Sequence, residues 1–131
     1  MDQMLNVLSL EAMGARYAML SVGRYGLPVR FRIRGRAVEC RVPTWSGVGD
    51  LLEGLEEVLL VAVVETEPYL RWLFLRGPAS IVPDPDWEGL EPPPLHHLVP
   101  DDLYQILRIE PRRIERVDEQ RGWGYRETAD T

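Results

Sequence analysis

Strict alternation over one short stretch constrains this chain more than any other feature. From Val29 to Arg34 the sequence reads Val-Arg-Phe-Arg-Ile-Arg, with Val29, Phe31 and Ile33 on one side of an extended segment and Arg30, Arg32 and Arg34 on the other. A period of two over six residues is the signature of a strand with one face inward. The flanks extend the pattern. Tyr17 to Val22 is apolar and rich in strand formers, Gly23-Arg24-Tyr25-Gly26 is a turn, and Pro28 sits where a strand begins without losing a needed donor. Arg34-Gly35-Arg36 reverses the chain again, after which Val38, Cys40 and Val42 alternate with Ala37, Glu39 and Arg41. Five arginines therefore lie between Arg30 and Arg41 against one acid, Glu39. The third run leads through Pro43-Thr44-Trp45-Ser46-Gly47 into a helix start. Guanidinium groups beside the hydroxyls of Thr44 and Ser46 at a helix N-terminus are suited to holding a phosphate. The plain reading of the same residues is a charged strand face or guarded edge, with Thr44 and Ser46 as helix caps.

Downstream, Val48, Leu51, Leu52 and Leu55 fall at i, i+3, i+4 and i+7 and predict the main helix. Asp50 and Glu53 near its start suit the helix dipole and compete with a bound anion. Val58 to Val64 is an unbroken apolar run, as expected for a strand covered on both sides. After the turn Glu65-Thr66-Glu67-Pro68, a long strand is expected over Tyr69 to Val82. Leu70, Trp72 and Phe74 share one face of it, Arg71, Leu73 and Leu75 the other, and Gly77-Pro78 bends it. Six of the eleven prolines lie in Pro83–Asp102, a semi-rigid loop with one helical turn near Leu95–Val99. Leu103 to Arg116 returns to strand pattern with an interruption at Pro111, and Asp118–Thr131 is a polar tail. Upstream, Met4, Leu5, Leu8 and Ala12 suit one side of a short helix ending at Gly14.

These elements make one domain over residues 1–131, with a helical segment at 1–14, the Pro-rich loop at 83–102 and the tail at 118–131. Six strands, one main helix and no βαβ alternation point to an antiparallel barrel or sandwich with a helix across one opening. The absence of an 18-residue apolar run or a basic-then-apolar leader leads us to expect a soluble, cytoplasmic protein without a membrane partner. A net charge of −6 argues against nucleic acid as the partner. All fifteen basic residues are arginine, so lysine Schiff-base chemistry is excluded. One cysteine excludes an internal disulfide and a multi-cysteine zinc site, and His96-His97 without nearby ligands give no reason to expect a metal. Cys40 is read as a small core residue, and Trp45, Trp87 and Trp123 as interface anchors.

Three phrases in order carry a resemblance. Gly23-Arg24-Tyr25-Gly26-Leu27-Pro28 resembles the G-x-x-G-x-P turn of the FMN-binding split barrels, the pyridoxamine 5'-phosphate oxidase-like superfamily. Leu75-Arg76-Gly77-Pro78-Ala79 is similar to that family's strand ending in G-x-A, and Ile109 to Asp118 resembles the I-x-P-x-x-I/V run of its last strand. The resemblance implies a six-stranded antiparallel split β-barrel with Greek-key connections, assembled as a homodimer with two cofactor sites in the clefts between subunits. Members carry FMN or the deazaflavin F420, and some bind haem or nothing. Carried over to this chain, it assigns the cofactor's phosphate to Arg41, Thr44 and Ser46, with Arg30 or Arg32 as a second-strand contact. It makes Trp72 a wall of the flavin site and lets Trp123 or Arg126 reach a neighbouring site. The family's lysine after the serine is replaced here by Gly47-Val48-Gly49 and then Asp50. The expected function is an FMN-dependent oxidoreductase acting on a small molecule. Alternatives are an F420-dependent reductase and a cofactor-free dimer serving as a binding or scaffold module. True pyridoxamine phosphate oxidase activity is set aside, because the residues for its substrate phosphate have no matches.

Overall fold

The computed structural model describes residues 18–90 and 100–130. The expected helix over 1–14, the helical turn near Leu95–Val99 and His96-His97 lie outside those residues. Nine strands form one curled sheet: β1 (Ala18–Val22), β2 (Tyr25–Arg34), β3 (Ala37–Pro43), β4 (Val58–Glu65), β5 (Arg71–Gly77), β6 (Ala79–Ile81), β7 (Tyr104–Ile109), β8 (Arg113–Asp118) and β9 (Arg126–Asp130). Their order is β6-β7-β3-β2-β1-β4-β5-β8-β9, and every neighbouring pair is antiparallel. Three hairpin-linked strands with β4 returning beside β1 is the Greek-key arrangement.

The count exceeds the expected six for a physical reason. The expected strand over Tyr69–Val82 breaks at Pro78 into β5 and β6, and the one over Leu103–Arg116 breaks at Pro111 into β7 and β8. Both breaks fall at one crossing. Glu110 N donates to Pro78 O at 3.0 Å, and Arg112 N donates to Arg76 O at 2.8 Å. A side chain at Gly77 would place its Cβ 2.0 Å from the Glu110 carbonyl oxygen, so only glycine lets the bent strands pass this closely. Because β5 pairs with β8 while its continuation β6 pairs with β7, the crossing joins the two sides of the curled sheet.

Alternation decides what enters the interior. Leu20, Val29, Val38, Cys40, Val42, Leu60, Leu73, Leu75, Leu107, Ile109 and Ile114 belong to the buried cluster, and Ala18, Val22, Val48, Val58 and Ala62 complete it. Cys40 packs there as expected, and burial pushes its thiol pKa far up, with the charge of Glu39 adding to the shift. Two expectations change. The main helix, α1, is a single turn, Val48–Leu51. Glycines at 49 and 54 weaken it, and Gly54 at φ 81° turns the chain away, leaving Leu55 40% exposed. The tail supplies a ninth strand, which its polar sequence did not signal.

Candidate functional site

Arg30, Arg32 and Arg34 of β2 lie across from Arg41, Glu39 and Ala37 of β3, on the face turned away from the core. Glu39 in turn lies across from Arg108 of β7. This outward face is nevertheless covered, since Glu39 is 0% and Arg41 3% exposed. The cover comes from both described ends of the Pro-rich loop. Arg32 Nε donates to Glu39 Oε1 at 2.8 Å, and its two terminal nitrogens donate to the carbonyl oxygens of Asp86 and Glu88. Arg34 pairs with Asp86 at 3.3 Å. Arg108 donates to Glu39 Oε2 through Nε at 3.0 Å and Nη2 at 2.7 Å. Burial alone would raise the Glu39 pKa, but the hydrogen bonds from Arg108 and Arg32 outweigh it and hold the carboxyl below its usual range.

Arg41 is the second fastening. Its guanidinium carbon lies 4.4 Å from the ring centre of Trp87 and 4.0 Å from that of Tyr104. Nη2 donates to Asp101 Oδ1 at 2.7 Å and Nη1 to Leu90 O at 3.3 Å. A cation held over two rings while its nitrogens donate to a carboxylate and a carbonyl is a task that the arginine fork suits better than lysine. Trp87, expected at an interface, lies against Arg41 and is half-buried, while Trp45 and Trp123 are 83% and 96% exposed.

The two hydroxyls are also engaged. Thr44 Oγ1 donates to Leu103 O at 3.1 Å and Ser46 Oγ to Pro43 O at 2.5 Å. Neither caps α1, whose N-cap is Gly47 at φ 69° without a side-chain bond. The structure therefore brings Arg32, Arg41 and Thr44 together under one strap. Each of them spends donors on protein oxygens, and Ser46 does so within its own turn. As arranged, these residues do not fit a phosphate. Glu39, Trp87, Asp101, Tyr104 and Arg108 complete the cluster. The sequence signal for Glu39 was a single acid in phase with Arg41 on one strand and following the three alternating arginines Arg30, Arg32 and Arg34 of the strand before it.

Trp72 lies elsewhere. It stands on the outward face of β5, across from Val63 of β4 and Val117 of β8. Phe74 meets it edge-on with ring centres 6.0 Å apart, and Phe74 lies across from Val61, which lies across from Met19 of β1. Met19 and Val63 are 46% and 47% exposed, so β4 is covered on one side only within the described chain, not on both as expected. Within this apolar face the Trp72 indole N–H is buried and has no acceptor among the described residues. A separate cleft of about 250 Å³ between Ser21, Leu55, Glu57, Leu59 and Arg76 is smaller than the cavities that usually enclose a cofactor. Among the described residues there is no cluster of metal-ligating side chains and no helix long and apolar enough to cross a membrane.

Solved structures share this geometry. General stress protein 26 from Bacillus anthracis superposes with a TM-score of 0.74 at 14% identity, covering 98% of this chain and 99% of that one. A Clostridium acetobutylicum protein related to general stress protein 26, of the pyridoxinephosphate oxidase family, gives a TM-score of 0.71 at 14% identity, with 99% and 96% covered. The chain has the pyridoxamine 5'-phosphate oxidase-like fold. An FAD-binding protein from Mycobacterium smegmatis shares that split barrel, with a TM-score of 0.60 at 14% identity and coverage of 89% and 94%. No protein-family model and no curated protein matches the sequence. In split-barrel terms, β5–β6 and β7–β8 are two long strands bent at the crossing, and β9 is an addition at the edge.

Proposed function

We propose that this chain is a flavin-binding member of the pyridoxamine 5'-phosphate oxidase-like superfamily, acting on a small molecule in a cleft between two copies. The observation that carries the reading is the apolar outward face around Trp72. Its buried indole N–H lacks an acceptor among the described residues, and Met19 and Val63 beside it are uncovered. A flavin ring offers both a flat apolar surface and carbonyl and ring-nitrogen acceptors, and a second copy closing over the face removes the remaining exposure. FMN is the first ligand to test and F420 the second. When bound, such a ring carries the hydride chemistry, while the protein supplies position and electrostatics. A phosphate would reach Arg41 or Arg32 only by displacing Asp101, the Leu90 carbonyl or the carbonyls of Asp86 and Glu88.

That engagement favours a second reading, a cofactor-free split-barrel dimer serving as a binding module. Titration with FMN, FAD and F420, followed by flavin fluorescence and retention on desalting, separates the two. Under the first reading flavin is retained, and Trp72→Phe, which removes the lone donor, weakens binding about tenfold. Protein that stays colourless and ignores all three ligands favours the second.

A further inference from the structure

Among the described residues β9 is an edge strand, with β8 on one side only. Asp118 N donates to Tyr125 O at 3.2 Å, and the β8–β9 register runs from Val117↔Arg126 to Arg113↔Asp130. Antiparallel pairs alternate between bonded and unbonded, so the main-chain groups of Tyr125, Glu127 and Ala129 point at β8. Those of Arg126, Thr128 and Asp130 point away from it. Among the described residues β9 pairs with β8 alone, which leaves three N–H and three C=O groups on the free edge.

We propose that β9 pairs with β9 of a second copy, antiparallel about a two-fold axis at Thr128. In that register Arg126 faces Asp130 of the other copy, Thr128 faces Thr128, and Glu127 faces Ala129. The residues whose groups point outward are the ones that meet as bonded pairs, so all six edge groups find partners. The charges agree with the register. Within one chain Arg113 Nε pairs with Glu115 at 2.9 Å, Arg113 Nη1 with Asp130 at 3.4 Å, and Arg126 with Glu115 at 3.5 Å. These residues all lie on the outward face, and each copy thus carries an open run of alternating sign, Asp130–Arg113–Glu115–Arg126. Joining Arg126 of each copy to Asp130 of the other closes two such runs into a ring in which no like charges are neighbours. Opposite charges and a threonine pair across strands are favourable, and a two-fold contact is self-complementary. The contact is made by the β9 edge, two strands from Trp72 on the same outward face, and its test does not depend on flavin.

Three variants test it by mass measured over a concentration series. Thr128→Pro removes one outward N–H and costs no bond to β8. It should halve the assembly mass relative to the parent at the same concentration. Arg126→Asp alone and Asp130→Arg alone set like charges opposite one another and should do the same. An equimolar mixture of those two restores opposite charges at both contacts and should recover the parent mass, with recovery lost as salt rises. Amide exchange at Arg126, Thr128 and Asp130 should slow in the parent with concentration, and at Arg126 and Asp130 it should remain fast in Thr128→Pro. A parent mass equal to that of Thr128→Pro throughout, or a mixture no larger than its components, overturns the proposal.

Discussion

Two outward faces of one sheet carry opposite chemistry and opposite fates. Over β2, β3 and β7 the sheet displays Arg30, Arg32, Arg34, Glu39, Arg41 and Arg108, and the chain covers its centre at Glu39 and Arg41. Over β1, β4 and β5 it displays Met19, Val61, Val63, Trp72 and Phe74, and the described chain leaves that face partly open. Polarity alone would assign the cover the other way round. A charged face can be covered when the cover brings matched groups, and here Asp86, Asp101 and three backbone carbonyls meet guanidinium donors. An apolar face needs only a complementary apolar surface, which a second copy or a planar ligand provides without donors to match.

The largest effect that can break this comparison comes from its centre. Glu39→Ala leaves Arg32 and Arg108 facing each other without the carboxylate between them. Removing one member of a buried charged cluster costs about 3–5 kcal/mol. Urea unfolding should show that loss as a lower midpoint with an unchanged slope. A loss below about 1 kcal/mol would mean that the covered face is held by solvent and not by its own ion pairs.

Arg41 comes next. Arg41→Ala removes the stack between Trp87 and Tyr104 and the bond to Asp101, at a cost of about 2 kcal/mol. Arg41→Lys should recover little, because an ammonium cannot lie flat between two rings while reaching both the Leu90 carbonyl and Asp101. Limited proteolysis reads the same event locally. Cleavage within Asp84–Leu90 should accelerate in Arg41→Ala under conditions where the parent remains intact.

Protonation acts on the covered face with a smaller effect. Glu39 has a lowered pKa, so its stabilising contribution is complete above its unfolded value, near 4.3, and is lost as pH falls through the folded value. Asp86 has the same sign, chiefly through the backbone N–H of Glu88 and then the nearby arginines. Melting temperature should therefore fall on acidification, and Glu39→Gln should flatten that fall. Equal slopes for parent and variant would remove Glu39 from the acid response.

The strands of this fold were legible wherever one face differed from the other. Val29–Arg34 alternates because its apolar side chains enter the core while its arginines do not, and the observed register keeps that phase. Gly77 and Pro111 were readable as interruptions, but not as one crossing, because the closure they make joins segments far apart in sequence. β9 gave no signal, since Arg126 to Asp130 is polar at most positions and owes its strand conformation to pairing with β8. The arginine ribbon was visible as a charge pattern. Its acceptors were not, because three of them are backbone carbonyls that any loop residue supplies.

The smallest expected effect on folding tests the other half of the comparison. Val63→Asp places a carboxylate on the open face, where the valine is 47% exposed and adds little to the core. Folding stability should change by no more than about 0.5 kcal/mol, as for an ordinary surface substitution. Association through that face should suffer far more, because the new charge would have to be desolvated against Trp72 or its counterpart in a second copy. Sedimentation of the variant in a Thr128→Pro background isolates this surface from the β9 edge. A variant that unfolds outright would show that β4 is covered on both sides after all. One that folds and still associates like its parent would place the contact elsewhere and leave the open face for a ligand alone.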